Sequence, residues 1–399
     1  MKKKARKSSK FNIAQLHWGF PPIIGGVETH LSLMLPVMAK KGHNVSLLTG
    51  SVDGSKARYR YKGIDVHRTP LMDLNWLYTR GLKGLEEEVA KFFKNFLDKS
   101  KADVIHVHNM HYFSELHAKA IESEAKTRGI PLILTAHNVW DDMLYLDLIL
   151  KVDWTHIIAV SHFIKKEMIG AGCDDRKITV IHHGVDTKVF KDGIATDSFL
   201  KKFPMLKDKR IIFHPARLGL AKGCDVSIKA LRLVKRRFPD CMLVLAGTKH
   251  IIDWGHTQQK DIAYMVNLVK LFSLEENVLI DVYSLNEIAQ IYALAQVCIY
   301  PSSAGEPFGL TMLEALSSSR PMIVTNSGGM PEIIRDGING FVIPVRDFEA
   351  LASRINQLLA DKALRRRLGS TGREIVEDYY TKEKVTDDTL RTYKKFISK

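Results

Sequence analysis

Cysteine is scarce in the 399-residue chain: Cys173, Cys224, Cys241 and Cys298 are its four, scattered singly. None has a neighbour at the spacing of a metal knuckle or a redox pair, which excludes a disulfide scaffold and favours a reducing cytoplasm. No apolar run reaches the roughly 18 to 20 residues of a membrane span. The basic opening MKKKARKSSK has no apolar region behind it, so a soluble protein without a signal peptide is expected. Three phosphate or metal signatures are also missing: the G-x-G-x-x-G fingerprint of dinucleotide sites, the G-x-x-x-x-G-K-[ST] loop and a D-x-D pair. His106, His108, His111 and His117 stand close in sequence but at no zinc spacing, and read as core or wall histidines.

The composition is that of a globular chain, with 45% hydrophobic and 26% charged residues, and the length suggests two domains. The formal net charge is +15, unevenly spread. Residues 1 to 10 hold six basic side chains and no acid, residues 11 to 190 hold 22 against 20, and residues 191 to 399 hold 31 against 24. The tail 1–10 reads as a disordered basic arm with at most weak affinity for a membrane surface. The near-neutral first half, without interleaved aromatic and basic residues, argues against nucleic-acid binding. The surplus in the second half suits a small polyanion.

Short β-branched runs at 103–107, 131–136, 156–160, 178–181, 210–214, 241–246, 297–301 and 321–325 predict buried parallel strands. Helical stripes alternate with them, one formed by Leu85, Val89, Phe92, Phe93, Phe96 and Leu97 and another across Val226 to Phe238. Strand and helix in alternation predict α/β architecture as two Rossmann-like, doubly wound domains facing each other across a cleft. The turn-rich segment HHGVDTKVFKDG at 182–193 sets the expected boundaries: 1–190, 191–380, and a last helix over 381–399 that packs back on the first domain.

In open parallel sheets ligands bind beyond the carboxyl ends of the strands, so the residues after each strand are candidates. GEPFGLTMLEA at 305–315 follows one strand: Pro307 and Gly309 suit a helix opening, and the amides of Phe308, Gly309, Leu310 and Thr311 would face an anion. Glu306 and Glu314 flank that turn, and acceptor-only carboxylates suit sugar and ribose hydroxyls. ARLGLAKG at 216–223 follows another strand and brings Arg217 and Lys222, two cations fit to stabilise a diphosphate leaving group. Without a D-x-D pair, such a site relies on Arg, Lys and helix amides, with no metal and no cofactor. PPIIGGVETH at 21–30 runs into a helix from Val27 and would offer the Gly26 amide, and TAHN at 135–138 puts His137 just past a buried strand. Taken singly, each of these reads equally well as solvated loop charges, a strand-to-helix turn or a structural histidine.

As a set, GGVETHL, TAHN, VIHHGVDTKVF, ARLGLAKGCD, EPFGLTMLEAL, SGGMPEII and DGINGFVIP resemble, in order and spacing, the large family-four group of retaining glycosyltransferases with the GT-B fold. The resemblance covers most of the chain. It implies a nucleotide-sugar donor, with Glu314 on the ribose, Glu306 on the transferred sugar, Arg217, Lys222 and the Gly26 amide on the diphosphate, and His137 against the donor sugar. It also implies retention by front-face attack, the leaving phosphate helping to deprotonate the acceptor. A UDP-sugar, UDP-GlcNAc or UDP-Glc, is the favoured donor. The run Gly247, Thr248, Lys249, His250 departs from the glycine and proline frequent in the family there, and leaves the nucleobase open.

The acceptor is expected at first-half loops bearing His17, Trp18, Phe20, Asn109 and Tyr112, an aromatic wall of little charge that favours a small polar molecule such as a cyclitol or amino sugar. A lipid-linked sugar is the alternative acceptor, and a sugar-nucleotide epimerase the alternative activity on the same fold.

Overall fold

The computed structural model describes residues 10–139, 148–247 and 255–397. Most of the basic tail and the departure at 248–250 lie outside them. The chain divides into two compact units, one made of residues 1–182 with 383–399 and the other of residues 183–382.

The first unit is built on eight strands: β1 (Asn12–Leu16), β2 (Asn44–Gly50), β3 (Arg58–Tyr61), β4 (Ile64–Thr69), β5 (Val104–His108), β6 (Leu132–Ala136), β7 (His156–Ala159) and β8 (Ile178–Val180). Their order in the sheet is β3-β4-β2-β1-β5-β6-β7-β8. All neighbours are parallel except β3 with β4. The second unit holds β9 (Arg210–His214), β10 (Cys241–Gly247), β11 (Val278–Val282), β12 (Val297–Tyr300), β13 (Met322–Thr325) and β14 (Gly340–Ile343) in the order β11-β10-β9-β12-β13-β14, all parallel. Each sheet has one place where the strand order reverses, between β1 and β5 in the first and between β9 and β12 in the second. At such a switch point the loops after the two strands part to opposite faces and leave a crevice.

All eight runs read as strands from sequence are strands. Six more are present among the described residues. β1 escapes a pattern search because Gln15 points into the core, where Tyr393 and His108 satisfy its amide. β4 escapes because Arg68 is buried, its guanidinium donating to the carbonyls of Gly50 (2.9 Å) and Pro21 (2.6 Å).

Helices cover the sheets with their apolar stripes. Glu86–Ser100 buries Val89, Phe93, Phe96 and Leu97 and turns its lysines outward, and Cys224–Lys235 buries Val226, Ile228, Leu231 and Val234. Each such buried side chain contributes about 1.5 to 3 kcal/mol relative to leaving it exposed. The helix Lys382–Ile397 gives Val385, Leu390 and Tyr393 to the core around β1, with Ile13, Leu31 and Val104. Residues 183–190, read from sequence as the end of the first half, lie in the second unit. They are tied there by a bridge from Val185 to Thr381 and by Ser317 Oγ donating to the Phe190 carbonyl at 2.6 Å.

Candidate active site

The switch point of the second sheet gathers most of the residues singled out from sequence. The loop leaving β9 folds through a short turn, Leu220–Lys222, and closes on Gly223, whose φ of +76° favours glycine. A Cβ on Gly223 would lie 1.8 Å from the carbonyl oxygen of Pro301, so only glycine lets this loop lie against the segment leaving β12. Ser303 N–H donates to the Ala221 carbonyl at 3.0 Å, and Leu220 N–H to Asp261 at 3.0 Å. Lys222 is thereby held beside the exit of β12.

Its ammonium donates to Glu306 Oε2 at 2.7 Å, with both side chains largely shielded. The same carboxylate oxygen accepts from the Tyr300 hydroxyl, and Lys222 Nζ lies 5.7 Å from the Tyr300 ring centroid. Burial and then the Glu306 charge push the Tyr300 hydroxyl well above its ordinary pKa, so it stays a donor. The Glu306 backbone is fixed from the third strand of the group: Gly329 N–H donates to its carbonyl at 2.8 Å, and a Cβ on Gly328 would sit 2.1 Å from that oxygen.

The helix Leu310–Ser317 begins at Gly309, with φ +84°, and no side chain caps it. Thr311 Oγ1 is buried with no hydrogen-bond partner. Uncapped amides, the positive end of the helix and an unpaired hydroxyl together fit an anion. In the second turn Glu314 accepts from the Tyr292 hydroxyl at 2.9 Å. Burial pushes the Glu314 carboxyl up to about 7, partly offset by the Tyr292 bond. Arg217 is exposed, and its guanidinium makes no hydrogen bond or ion pair among the described residues. Phe308 is buried, its ring 4.9 Å from that of His183.

In the first unit the switch point is lined by buried histidines. The backbone N–H of His137, past β6, donates to Asn109 Oδ1 at 2.7 Å, and His137 Nε2 lies 2.9 Å from His108 Nδ1. His108 Nε2 lies 2.8 Å from Gln15 Oε1. The Gln15 amide nitrogen donates to the Tyr393 hydroxyl at 3.0 Å, and His106 Nδ1 lies 2.5 Å from the same oxygen. Since Gln15 Oε1 can only accept, His108 donates from Nε2, and its Nδ1 accepts from His137 Nε2–H. Burial depresses His106 to about 3 and His30 to about 4, the latter helped by His17. Gly26 opens the helix Gly26–Lys40, with open space where a side chain would be. Two glycines before it serve Glu28, since a Cβ on Gly19 or Gly25 would lie 2.2 Å from its carboxylate. Among the described residues no three His, Cys, Asp or Glu side chains converge as a metal site.

Comparison with known proteins gives two family matches. The model for "Glycosyl transferases group 1" matches residues 196–375, and that for "Glycosyltransferase Family 4" matches residues 24–189. The chain belongs to the family-four type of GT-B glycosyltransferases.

This glycosyltransferase is 24% identical over 397 residues to an uncharacterized glycosyltransferase of Methanocaldococcus jannaschii, covering 96% of this chain and 97% of that one. It is 24% identical over 388 residues to N-acetyl-alpha-D-glucosaminyl L-malate synthase of Bacillus anthracis, covering 93% and 94%. Its fold is that of Anabaena HepE solved in complex with UDP and glucose, with a TM-score of 0.76, 19% identity, and coverage of 96% and 99%.

Within the glycosyltransferase, Lys222 and Glu306 are in direct contact, while Glu314 is paired instead with Tyr292. Gly26 and His137 belong to the first unit and Arg217 to the second. Sequence reading missed Tyr300 and Tyr292. Tyr300 had a signal, as the last residue of a strand six positions before Glu306. Tyr292 had none, because a tyrosine on the buried side of a helix looks like core.

Proposed function

We propose that the glycosyltransferase moves a sugar from a nucleotide diphosphate donor, a UDP-sugar such as UDP-GlcNAc or UDP-Glc, to an acceptor hydroxyl with retention of configuration and without a metal. The observation that carries this reading is the cluster of Lys222, Glu306 and Tyr300 at the second switch point, beside an uncapped helix start. The names of the relatives support the donor class: one makes an N-acetyl-glucosaminyl product and one is complexed with UDP and glucose.

In this reading Arg217, Lys222 and the amides of Phe308, Gly309, Leu310 and Thr311 take the diphosphate, Glu314 takes the ribose, and Glu306 takes the sugar. The acceptor oxygen attacks the anomeric carbon on the face from which the phosphate leaves. The acceptor proton passes to a phosphate oxygen, and the charge gathering on the diphosphate meets Lys222 and Arg217. His137 and the Gly26 amide are proposed contributors from the first unit. The proposed acceptor is a small polar molecule, a reading supported by the relative whose name specifies L-malate. Four buried, unpaired cysteines support a cytoplasmic setting, and among the described residues no helix is long and apolar enough to cross a membrane.

The experiment is thermal unfolding with UDP, GDP, ADP and their sugar conjugates, since a ligand that binds only the folded state raises Tm. A shift with UDP and its conjugates alone is expected. A shift with GDP or ADP conjugates alone would overturn the donor assignment, and an epimerised sugar nucleotide as the product would overturn glycosyl transfer.

A further inference from the structure

The second unit has a second concavity, of about 630 Å³, lined by residues 293–296 and 319–321 and by the helix Lys362–Tyr379. Residues 293–296 lead into β12 and residues 319–321 lead into β13, so this pocket lies at the amino edge of the sheet. Lys222 and Glu306 stand beyond the opposite edge.

Its lining is strongly cationic. Arg320, Lys362, Arg365, Arg366 and Arg367 face one acid, Asp192. That acid is already matched, with Arg320 at 2.6 Å, and Arg320 also donates to the carbonyls of Tyr292 (2.9 Å) and Ala293 (2.8 Å). Asp361, at the start of the helix, accepts from Leu364 N–H at 2.8 Å as its cap. Four cations remain. Arg365 is held in place by the Leu359 carbonyl at 3.0 Å and the Leu358 carbonyl at 2.5 Å. Arg367 reaches only the Gly337 carbonyl, at 3.4 Å, and Lys362 and Arg366 make no ion pair among the described residues. Burial, followed by the charge of Arg210, lowers the Arg365 pKa; Asp361 opposes, and Arg320 and Arg366 push downward. Like charges crowded around a concavity repel one another, and the arrangement is relieved by an anion that fills it.

We propose that this pocket binds a small polyanion carrying two phosphates or a diphosphate. Each phosphate monoester brings about 1.5 to 2 negative charges at neutral pH, so two of them come close to the charge of the four cations. The arginine forks suit phosphate oxygens in pairs, and the Ser319 and Ser370 hydroxyls line the same space. A free phosphorylated molecule and an anionic lipid headgroup offer the same chemistry, and the test separates them.

The full chain carrying Arg217→Ala and Lys222→Ala, which weakens the other cationic loop, is titrated with pyrophosphate by calorimetry, with and without Arg366→Glu and Arg367→Glu. Both of these arginines are exposed, so the fold is expected to survive, and an unchanged Tm checks it. In parallel, flotation is scored with vesicles containing phosphatidylinositol bisphosphate, whose headgroup carries two phosphate monoesters, against phosphatidylcholine vesicles. Pyrophosphate binding weakened about tenfold or more by the glutamates supports a free ligand. Flotation on the phosphatidylinositol bisphosphate vesicles alone, lost with the glutamates, supports a headgroup. Binding that is absent in both arms, or untouched by the glutamates, overturns the site. Donor binding is read separately with UDP on the chain carrying only Arg366→Glu and Arg367→Glu. There it is expected to match the unmodified chain, so failure of the pocket and failure of the donor reading are distinguishable.

Discussion

Lys222 and Glu306, 84 residues apart in sequence, meet as an ion pair at 2.7 Å with the Tyr300 hydroxyl on the same carboxylate oxygen. The pair keeps two charges in a partly desolvated loop; in the proposed function the lysine meets the leaving phosphate and the carboxylate a sugar hydroxyl. Lys222→Ala, and separately Arg217→Ala, is expected to lower kcat/KM by about a hundredfold, about 3 kcal/mol of transition-state stabilisation, as for lost donors to a developing oxyanion. Steady-state kinetics with the donor found by thermal shift checks this, and near-unchanged values in both variants would remove the diphosphate role.

Glu306 depends on a glycine it never bonds through a side chain. Gly328 has φ +58°, and a methyl group there would meet the Glu306 carbonyl oxygen at 2.1 Å and its nitrogen at 2.6 Å. Gly328→Ala is therefore expected to shift Glu306 and cut kcat/KM by about tenfold or more while circular dichroism stays native-like. A geometric error of about 1 Å at reacting groups has a cost of this size.

Glu314 carries a pH signature. Burial raises its carboxyl to about 7 in the folded chain. Between the unfolded value, about 4.3, and 7, the folded state therefore holds more protons than the unfolded one, so this group lowers stability as pH rises across that window, with the loss complete and constant above it. Glu314→Gln is expected to flatten that part of the Tm-against-pH curve. If the ionised carboxylate binds the ribose, donor affinity rises through pH 7 in the unmodified chain and loses that rise in the variant, as read by calorimetry.

Tyr393 supports the histidine row from a distant part of the sequence. Tyr393→Phe leaves the Gln15 amide nitrogen and His106 Nδ1 without their shared oxygen. The expected cost is about 1 to 3 kcal/mol, measured as a lower denaturant midpoint with an unchanged slope.

Transfer is expected to persist in excess chelator, because the sequence has no D-x-D pair and, in the proposed function, Arg217 and Lys222 neutralise the diphosphate in place of a metal. Activity abolished by chelation and restored by Mg²⁺ or Mn²⁺ would show that a ligand set has been overlooked.

Much of this molecule was legible before its structure. The second unit reads well because its central strands are continuous apolar runs and its ligand loops carry charged residues in glycine-rich strings, so Arg217, Lys222, Glu306 and Gly309 stand out. The first unit reads less well because its strand β1 buries Gln15 and β4 buries Arg68, so the apolar pattern of a strand breaks there. Sequence spacing also carries no sign that Lys222 would bond Glu306 directly, or that Glu314 would answer to Tyr292. Those pairings arise from strand order, which brings β9 beside β12 although β10 and β11 lie between them in the chain.

The first unit is discontinuous: it breaks off at residue 182 and is completed by residues 383–399. On the ribosome the second unit emerges whole, while the first still lacks Val385, Leu390 and Tyr393, and Gln15 and His106 still lack the hydroxyl that joins them. The order of synthesis is thus opposite to the order of completion. The half that begins first is the half that finishes last, and a ribosome stalled before residue 383 would carry a closed second unit beside an open first one.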